Sequence, residues 1–228
     1  MSVLDMITSY DDDWIRSFDP RKRTFTGKGY LMAKRVMDVS IILLTSPIWF
    51  PLMIFVSLGV FVTSSTPIFF VQFRTGKGGK RFQMYKFRTM VQGAEHLKEK
   101  LAGVNERGEL AGPLKLKDDP RVTPFGRFLR KTSLDELPQL INVLMGDMSL
   151  VGPRPTSWSP ESYKLWHTER LDVLPGITGL WQVFGRGSEN FDDWLRWDIR
   201  YLERRSLWLD IMILVKTFTS VISQRGAR

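Results

Sequence analysis

The chain has 228 residues and a formal net charge of +9, from 33 lysines and arginines against 24 aspartates and glutamates. It contains no cysteine, which excludes a disulfide framework and a thiolate metal site. Its two histidines, His96 and His167, lie far apart and argue against a histidine zinc cluster or a Ser-His-Asp triad. The basic excess suits nucleic acid, an anionic membrane surface or phosphorylated substrates, and charge alone does not choose among them.

The first part of the chain predicts a polar tail followed by a membrane segment. Residues 1–28 are polar, and they include both an acidic and a basic run. Residues 39–73 carry no charged side chain, whereas a membrane-spanning helix needs only about 20 apolar residues. We therefore predict a membrane helix over residues 36–62.

The predicted membrane helix is interrupted by Ser46-Pro47, where proline removes a backbone hydrogen bond and clashes with the preceding turn. Basic residues flank both ends of the apolar stretch, and positive charge favours the cytoplasmic side. A re-entrant helix that bends at Ser46-Pro47 keeps both basic clusters inside, whereas a plain kinked span puts one outside. Charge and proline leave both forms open. Asp38 lies one turn from Lys34 and Arg35 and is expected to pair with them as an anchor.

The next elements predict a β-hairpin. Residues 68–73 predict one strand, the alternating residues 81–88 predict a second, and the turn at 75–80 is rich in glycine and lysine. The other predictions, in chain order, are a helix at 91–101, a loop at 102–120, a short basic helix at 125–131, a helix at 133–145, a rigid loop at 152–155, a helix at 160–171, a loop at 175–181, an extended piece at 182–184, and helices at 192–203 and 207–222. The tryptophans of the C-terminal third favour either interfacial helices or an ordinary core, and the sequence leaves both open.

The acidic pair Asp135 and Glu136 is the main candidate for chemistry. With Ser133 as N-cap and Glu136 three residues later, the pattern fits a helix capping box, which is a sufficient structural reason for it. A helix N-terminus also attracts phosphate and keeps a nearby carboxylate ionised, so that Asp135 could attack phosphorus. The pair could hold Mg²⁺ beside a diphosphate, with Arg127, Arg130 and Lys131 neutralising phosphate oxygens. Spacing alone leaves the structural and catalytic interpretations open.

A series of motifs adds to this pattern. They are Lys86-Phe87-Arg88-Thr89-Met90, Asp119-Pro120-Arg121-Val122-Thr123, Ser133-Leu134-Asp135-Glu136-Leu137-Pro138-Gln139, Gly146-Asp147-Met148-Ser149-Leu150-Val151-Gly152-Pro153-Arg154-Pro155 and Pro175-Gly176-Ile177-Thr178-Gly179. In order and spacing they resemble those of the bacterial sugar transferases, also called monotopic phosphoglycosyl transferases. The resemblance covers about residues 30–226.

This resemblance implies an enzyme that transfers a phospho-sugar from a UDP-sugar to polyprenyl (undecaprenyl) phosphate. The products are UMP and a polyprenyl-diphosphate sugar, which starts the assembly of exopolysaccharide, capsule, O-antigen or another glycoconjugate. The family requires Mg²⁺. By resemblance, Asp135 is the nucleophile that carries a covalent sugar phosphate, and Glu136 helps with metal or proton handling, so both are implied metal ligands.

The resemblance also assigns further residues. The family's re-entrant helix breaks at a Ser-Pro pair, which corresponds to Ser46-Pro47. Lys86, Arg154 and Asp210 correspond to other functional positions and are implied to bind substrate. Two more substrate-binding candidates follow less directly from the same comparison, and these are Arg88 and Asp198.

The fold expected from the resemblance is α+β. A re-entrant membrane helix-break-helix precedes a small, mainly helical cytoplasmic catalytic domain with a β-hairpin and interfacial amphipathic helices. The expected divisions are a tail at 1–28, the membrane element at 29–65 and the catalytic domain at 66–228. The expected location is the cytoplasmic face of the bacterial inner membrane, with lipid as a partner and no nucleic acid; a homodimer is left open. Larger members add an N-terminal membrane domain, and we expect this chain to be a minimal form.

Three other functions are weighed against this one. A membrane-bound Mg-dependent phosphatase or nucleotide-sugar hydrolase could use the same acidic pair without a lipid acceptor. A non-enzymatic adaptor could bind anionic lipid through its basic surface and would tolerate loss of Asp135. A nucleic-acid binder suits the net charge of +9, but the charge is spread along the chain and no recognisable DNA- or RNA-binding motif is present.

Overall fold

The computed structural model describes residues 27–94, 119–159, 163, 165–185 and 191–222. Within them the chain forms one long apolar helix, two small sheets and several shorter helices, so the expected mixture of helix and sheet is confirmed. The predicted N-terminal tail and almost all of the predicted loop before residue 120 lie outside the described residues. Most of the predicted helix that begins at residue 91 lies outside them as well.

Helix α1, Lys28–Ser64, contains both Pro47 and Pro51. Because Pro47 has no N–H, the carbonyl oxygen of Leu43 loses its usual helical donor. The Ser46 hydroxyl donates to that oxygen instead, at 2.7 Å. In the described part of the chain, α1 is the one helix long and apolar enough, by length and composition, to cross a membrane. The bend at Ser46-Pro47 stays a prediction.

Both halves of α1 pack against the rest of the chain. Ile42, before the prolines, belongs to the main core, whereas Val56 and Val60, after them, pack with Phe87 and Leu129 in a second cluster. Many other large apolar side chains of α1 are exposed, and these are Leu31, Met32, Val36, Leu43, Leu44, Ile48, Phe50, Ile54, Phe55, Leu58, Phe61 and Val62. An exposed apolar surface of this extent is typical of a surface that contacts membrane.

The predicted hairpin is confirmed. Strand β1, Phe69–Thr75, pairs antiparallel with strand β2, Arg81–Phe87. In this register Thr75 lies opposite Arg81, and Phe69 lies opposite Phe87 at the other end. The turn between them is a short 3-10 helix, Lys77–Gly79, in which Gly78 has a φ of 63° that favours glycine. The hairpin therefore follows α1 directly and places two strands beside the helix that comes next.

Helix α2, Pro124–Thr132, confirms the predicted short basic helix. The Thr123 side chain caps it by accepting a hydrogen bond from the backbone N–H of Gly126, at 2.9 Å. A Cβ at Gly126 would overlap the backbone of Thr89, so glycine is what lets α2 lie against the chain that leaves β2. This close packing fixes the orientation of α2, and the turn that carries the acidic pair follows α2 directly.

The predicted single helix from residue 133 to 145 is wrong. Ser133 ends α2 in a left-handed conformation (φ 58°), and its side chain makes no capping bond to the residues described here. A 3-10 turn, Leu134–Glu136, follows, and only then does helix α3 begin, Gln139–Met145. The reason is Pro138, which has no N–H to donate to the carbonyl of Leu134, so an α-helix cannot start there. The capping box is therefore absent at this turn.

A small parallel sheet went unpredicted. Strand β3, Ser149–Val151, lies just before the predicted loop at 152–155, and strand β4, Gly176–Thr178, lies within the predicted loop at 175–181; the two strands pair in parallel. The backbone N–H of Gly152 donates to the carbonyl oxygen of Thr178 at 2.9 Å, which ties the Gly-Pro-Arg-Pro loop to β4. The extended piece predicted at 182–184 is wrong, because these residues belong to helix α4, Leu180–Phe184.

The remaining elements complete the core. A 3-10 helix spans Leu165–Asp172, and helices α5, Phe191–Arg204, and α6, Leu207–Ile222, confirm the last two predicted helices. The main core is formed by buried side chains from α1, the hairpin, α3 and the C-terminal helices, including Ile42, Phe82, Met84, Val143, Met148, Leu150, Val151, Leu180, Trp197, Tyr201, Leu202, Leu209 and Ile213. Trp197 is thus an ordinary core tryptophan, whereas Trp208 is exposed.

Candidate active site

Glu136 is the centre of a compact charged site. The ammonium Nζ of Lys86, on β2, lies 2.6 Å from its Oε1, and Nη2 of Arg154, in the Gly-Pro-Arg-Pro loop, lies 2.7 Å from the same oxygen. Burial raises the pKa of the Glu136 carboxyl, but Arg154 and Lys86 outweigh it, so the net pKa lies well below its ordinary value. Glu136 is therefore a permanently ionised carboxylate that holds two cations in place.

Asp135 lies beside Glu136 in the same 3-10 turn, but its contacts are different and its pKa shifts in the opposite direction. Its side chain makes no hydrogen bond or ion pair with the residues that the structure describes. Burial raises the pKa of Asp135, and Lys86 is the strongest neighbour acting to lower it, against the like charge of Glu136. The site thus contains one carboxylate that supports cations and one that is left available for a ligand or an incoming phosphorus atom.

The surroundings of Asp135 differ from the predicted ones. We expected the N-terminus of a long helix to keep the carboxylate charged, but Asp135 lies in a three-residue turn instead. Burial raises the pKa of Asp135, and nearby cations only oppose that rise. Lys86 and Arg130 both lower the pKa of Asp135, and the guanidinium of Arg130 is held by a hydrogen bond from its Nε to the Thr89 hydroxyl at 2.9 Å.

Arg74 is a component that the sequence analysis missed. It was grouped with the basic residues that follow the apolar stretch, but it lies in β1 and lines a cavity together with Arg154 and Gln139. The hairpin register could have identified it. Phe70 lies opposite Lys86, and Arg74 is four residues further along β1, so Arg74 and Lys86 project from the same face of the hairpin.

Asp198 lies behind the loop that carries Arg154. Its Oδ2 forms an ion pair with Nη2 of Arg170 at 2.7 Å, and both side chains are only 5% exposed. Arg170 in turn donates to the carbonyl oxygen of Arg154. Asp198, which is predicted to bind substrate, is therefore linked to Arg154 through the buried Arg170. Its role toward substrate stays a prediction.

Asp210 is part of a separate buried cluster between α1 and α6. It accepts a hydrogen bond from Lys34 Nζ at 2.6 Å and another from the Tyr201 hydroxyl at 2.7 Å, and it is fully buried. Close by, the Ser149 hydroxyl donates to Asp38 at 2.6 Å, and Asp38 lies 3.9 Å from Lys34. Asp38 thus pairs with Lys34 as expected, whereas its other expected partner, Arg35, donates to the carbonyl oxygens of Val143 and Leu144. Asp210 joins Asp38 and Lys34 in linking α1 to α6.

Arg88 makes its hydrogen bonds outside the charged site. Its guanidinium donates to the carbonyl oxygen of Thr66 at 3.3 Å, and its backbone N–H donates to Ile68 at 2.9 Å. These bonds fasten the end of the hairpin to the chain that leaves α1. Of the predicted substrate-binding residues, Lys86 and Arg154 are brought to the acidic pair, whereas Arg88 makes contacts elsewhere.

The carboxylates at the site suit only one kind of metal binding. Among the described residues there is no group of three or more His, Asp or Glu side chains that could hold a metal ion. Asp135 is open to a cation, but one oxygen of Glu136 already accepts from both Lys86 and Arg154. Mg²⁺ often binds through one or two carboxylates together with substrate phosphates, and that mode fits these residues.

Comparison with known proteins identifies the family. The family model of the bacterial sugar transferases matches residues 29–224. The chain is 46% identical to the undecaprenyl-phosphate galactose phosphotransferase of Salmonella typhimurium over 85% of its length. It is 39% identical to the UDP-glucose:undecaprenyl-phosphate glucose-1-phosphate transferase of Xanthomonas campestris pv. campestris over 87% of its length. The chain belongs to the bacterial sugar transferase family.

The relatives differ in size. The chain spans 41% of the Salmonella protein and 40% of the Xanthomonas protein. It spans 88% of the exopolysaccharide production protein ExoY of Rhizobium meliloti, to which it is 36% identical over 86% of its own length. The shared part contains the whole site described above, because Arg74, Lys86, the acidic pair and Arg154 all lie within residues 29–224.

Proposed function

We propose that the protein transfers a sugar phosphate from a UDP-sugar to undecaprenyl phosphate and releases UMP. Two relatives are named for such a transfer to this lipid phosphate, and the family covers the whole charged site. The observation that carries the proposal is the asymmetry of the acidic pair. Glu136 is bonded to two cations, while the Asp135 carboxylate is left without such bonds among the described residues. That arrangement suits a nucleophile placed in a phosphate-binding pocket.

The transfer proceeds in two displacements. In the first, a carboxylate oxygen of Asp135 attacks the sugar-bearing phosphorus of the UDP-sugar, and the bond from that phosphorus to the bridging oxygen breaks, so that UMP leaves with the electron pair. In the second, an oxygen of the lipid phosphate attacks the same phosphorus. The bond to Asp135 breaks, the carboxylate is regenerated, and the product is a lipid diphosphate sugar.

The remaining groups of the site stabilise charge. Lys86 and Arg154, both fixed by Glu136, would face the negative oxygens of the phosphate that is attacked. Lys86 also helps to keep Asp135 ionised, since it is the strongest neighbour lowering its pKa. Mg²⁺, held by Asp135 and Glu136 with the substrate diphosphate, would neutralise further charge on the phosphate oxygens.

The site is proposed to work at the cytoplasmic face of the membrane, with α1 dipping into the bilayer and returning. Support comes from the contacts of α1, since Ile42 before the prolines and Val60 after them both pack against the catalytic domain. The exposed apolar side chains between these residues would then contact lipid. A lipid phosphate would lie at the level of the head groups, within reach of a site held at the surface.

The direct test of the function is an assay of UMP release from the protein in lipid nanodiscs. A panel of UDP-sugars is offered with Mg²⁺ and polyprenyl phosphate. We expect one or more sugars to give UMP and a lipid diphosphate sugar, and Asp135→Asn to give neither. Asp147→Asn removes the same charge just after α3 and serves as the matched control. Absence of UMP with every sugar, or full activity of Asp135→Asn, would refute the proposal, and sugar phosphate released without acceptor would indicate a hydrolase.

The absence of cysteine makes the topology testable with single cysteines. One is placed before residue 34 and another after residue 74, and each variant is treated with a membrane-impermeant thiol reagent. A re-entrant α1 predicts that both label from the same side of the membrane. Labelling from opposite sides would show that α1 spans the bilayer and would leave the transfer reaction itself unaffected.

A further inference from the structure

Resting on the proposed function, we infer that Arg74 and Arg154 form a binding site for a single phosphate group. In this site the phosphate of the departing UMP and the phosphate of the incoming lipid are held in turn.

The position of Arg74 points to a ligand. It lies near the end of β1, and its Nη2 donates to the side chain of Gln72 at 2.5 Å. Its Nε is buried and has no hydrogen-bond partner in the described part of the chain. A buried donor without a partner is unfavourable unless something completes its hydrogen bonding. The cavity that Arg74 lines with Arg154 and Gln139 is where such an acceptor would bind.

The charges around this cavity are not balanced by the protein. Arg74, Arg154 and Lys86 bring three cations to two carboxylates, those of Glu136 and Asp135, so positive charge is in excess even when both are ionised. Burial, together with the positive charge of Arg154, lowers the pKa of Arg74 to about 10, so its guanidinium remains charged at neutral pH. Two neighbouring guanidinium groups repel each other, and a doubly charged phosphate between them would relieve that repulsion.

The reaction itself explains why one phosphate site serves two ligands. In each in-line displacement the attacking and departing groups lie on opposite sides of the phosphorus. Asp135 attacks from one side, so UMP must leave from the other. When Asp135 is later the departing group, the lipid phosphate must attack from the side that UMP has left. Both phosphates therefore occupy the same place, one after the other, opposite Asp135.

The test compares Arg74→Gln with the wild-type protein and with Lys80→Gln. Lys80 is an exposed residue of the same hairpin, so that control removes an equal charge outside the cavity. Three quantities are measured on the full chain in nanodiscs: the affinity for UMP by calorimetry without a donor, the KM for polyprenyl phosphate, and the pattern of inhibition by UMP against that acceptor.

We expect UMP to compete with polyprenyl phosphate in the wild-type protein. We expect Arg74→Gln to weaken UMP binding and to raise the acceptor KM by the same factor, about tenfold to a hundredfold, because charge-assisted hydrogen bonds to phosphate are lost. Lys80→Gln should stay within about twofold of wild type in both constants, as expected for an exposed charge. If Arg74→Gln does not fold, Arg74→Lys gives the same comparison with a smaller factor, since it keeps the charge and loses the planar guanidinium.

The outcomes separate this inference from the proposed function. If transfer proceeds but UMP is non-competitive with the acceptor, or Arg74→Gln changes neither constant, the shared site is overturned and the function stands. If only one constant changes, two separate phosphate sites exist and the shared site is likewise overturned. If no UDP-sugar yields UMP but UMP binds the wild-type protein and fails to bind Arg74→Gln, the phosphate site stands and the proposed function fails.

Discussion

The acid side of the pH profile should depend on Lys86. This residue is the strongest neighbour lowering the pKa of Asp135, whose pKa is already raised by burial. Replacing Lys86 with glutamine removes a cation that favours the ionised carboxylate, so the pKa of Asp135 must rise further. In the transfer proposed above only the carboxylate form of Asp135 can attack phosphorus, so the acid limb of the first half-reaction should move to higher pH.

The size of this shift follows from the surroundings of Lys86. An opposite charge within about 4–6 Å lowers the pKa of a carboxyl group by about 1–3 units. The side chain of Lys86 is 18% exposed, and its ammonium is shared with Glu136 at 2.6 Å. Solvent and Glu136 both weaken its effect on Asp135, so we expect the lower end, about one pH unit. When each rate is divided by its own plateau value, Lys86→Gln should therefore be about tenfold slower than the wild-type protein at a given pH on the acid limb.

The measurement is single-turnover release of UMP at saturating donor and Mg²⁺, across acidic to neutral pH. In the proposed function Lys86 also faces substrate, so the variant is expected to be slower by a constant factor at every pH. The shift of the acid limb is a separate, pH-dependent loss. Lys77→Gln, which removes an exposed charge from the hairpin turn, is the matched control and should leave the limb unchanged. An acid limb of Lys86→Gln that stays in place or moves to lower pH would contradict the reasoning.

Three further changes test how the site is held. Asp198→Asn leaves the buried guanidinium of Arg170 without its carboxylate, and we expect a loss of about 3 kcal/mol in the free energy of unfolding and a Tm lower by about 6–12 °C in calorimetry. Asp210→Asn removes the closer of the two carboxylates beside the Lys34 ammonium and leaves only Asp38 at 3.9 Å, so hydrogen exchange at the start of α1 should become faster. The low pKa of the Glu136 carboxyl contributes stability at neutral pH, and that contribution should decline as pH falls below about 4.5 in denaturant titrations.

Each of these has a result that would contradict it. A Tm of Asp198→Asn within a degree or two of wild type would mean that Arg170 finds another acceptor. Unchanged exchange in Asp210→Asn would show that Lys34 does not fix α1 to the domain. For Glu136, the comparison is Glu136→Gln, whose stability should depend less on acidic pH than that of the wild-type protein; equal dependence would contradict the assigned pKa.

The elements that sequence could predict are those set by local pattern. The hairpin followed from two short strands around a turn rich in glycine, and the last two helices, α5 and α6, followed from apolar periodicity. Helix α2 and its basic residues were also found, since they are continuous in sequence. Lys86 and Arg154 were assigned to the active site through the family's motifs, and both contact Glu136, but their role toward substrate stays a prediction.

The failures have physical causes, and most of these depend on residues that are distant in sequence. The capping box failed because Pro138 interrupts the helix that it would start, and Ser133 was needed to end the helix before it. The β3–β4 sheet joins two three-residue segments that are distant in sequence, too short to show alternation. Arg74 depends on hairpin register, and the tie between Asp198 and Arg170 depends on how the C-terminal helices pack.

The hydrogen bond from Lys34 to Asp210 has a consequence for biosynthesis. The two residues are 176 positions apart, so the α1 anchor is completed only when α6 has been made. At ordinary translation rates of about 5–20 residues per second, this interval is about 10–35 s. During it, the apolar α1 would be with the bilayer while Lys34 has Asp38 of its own helix as its acidic neighbour but still lacks Asp210. Ribosome-bound chains stalled before residue 210 should therefore leave the start of α1 open to protease, and chains stalled well beyond α6 should protect it.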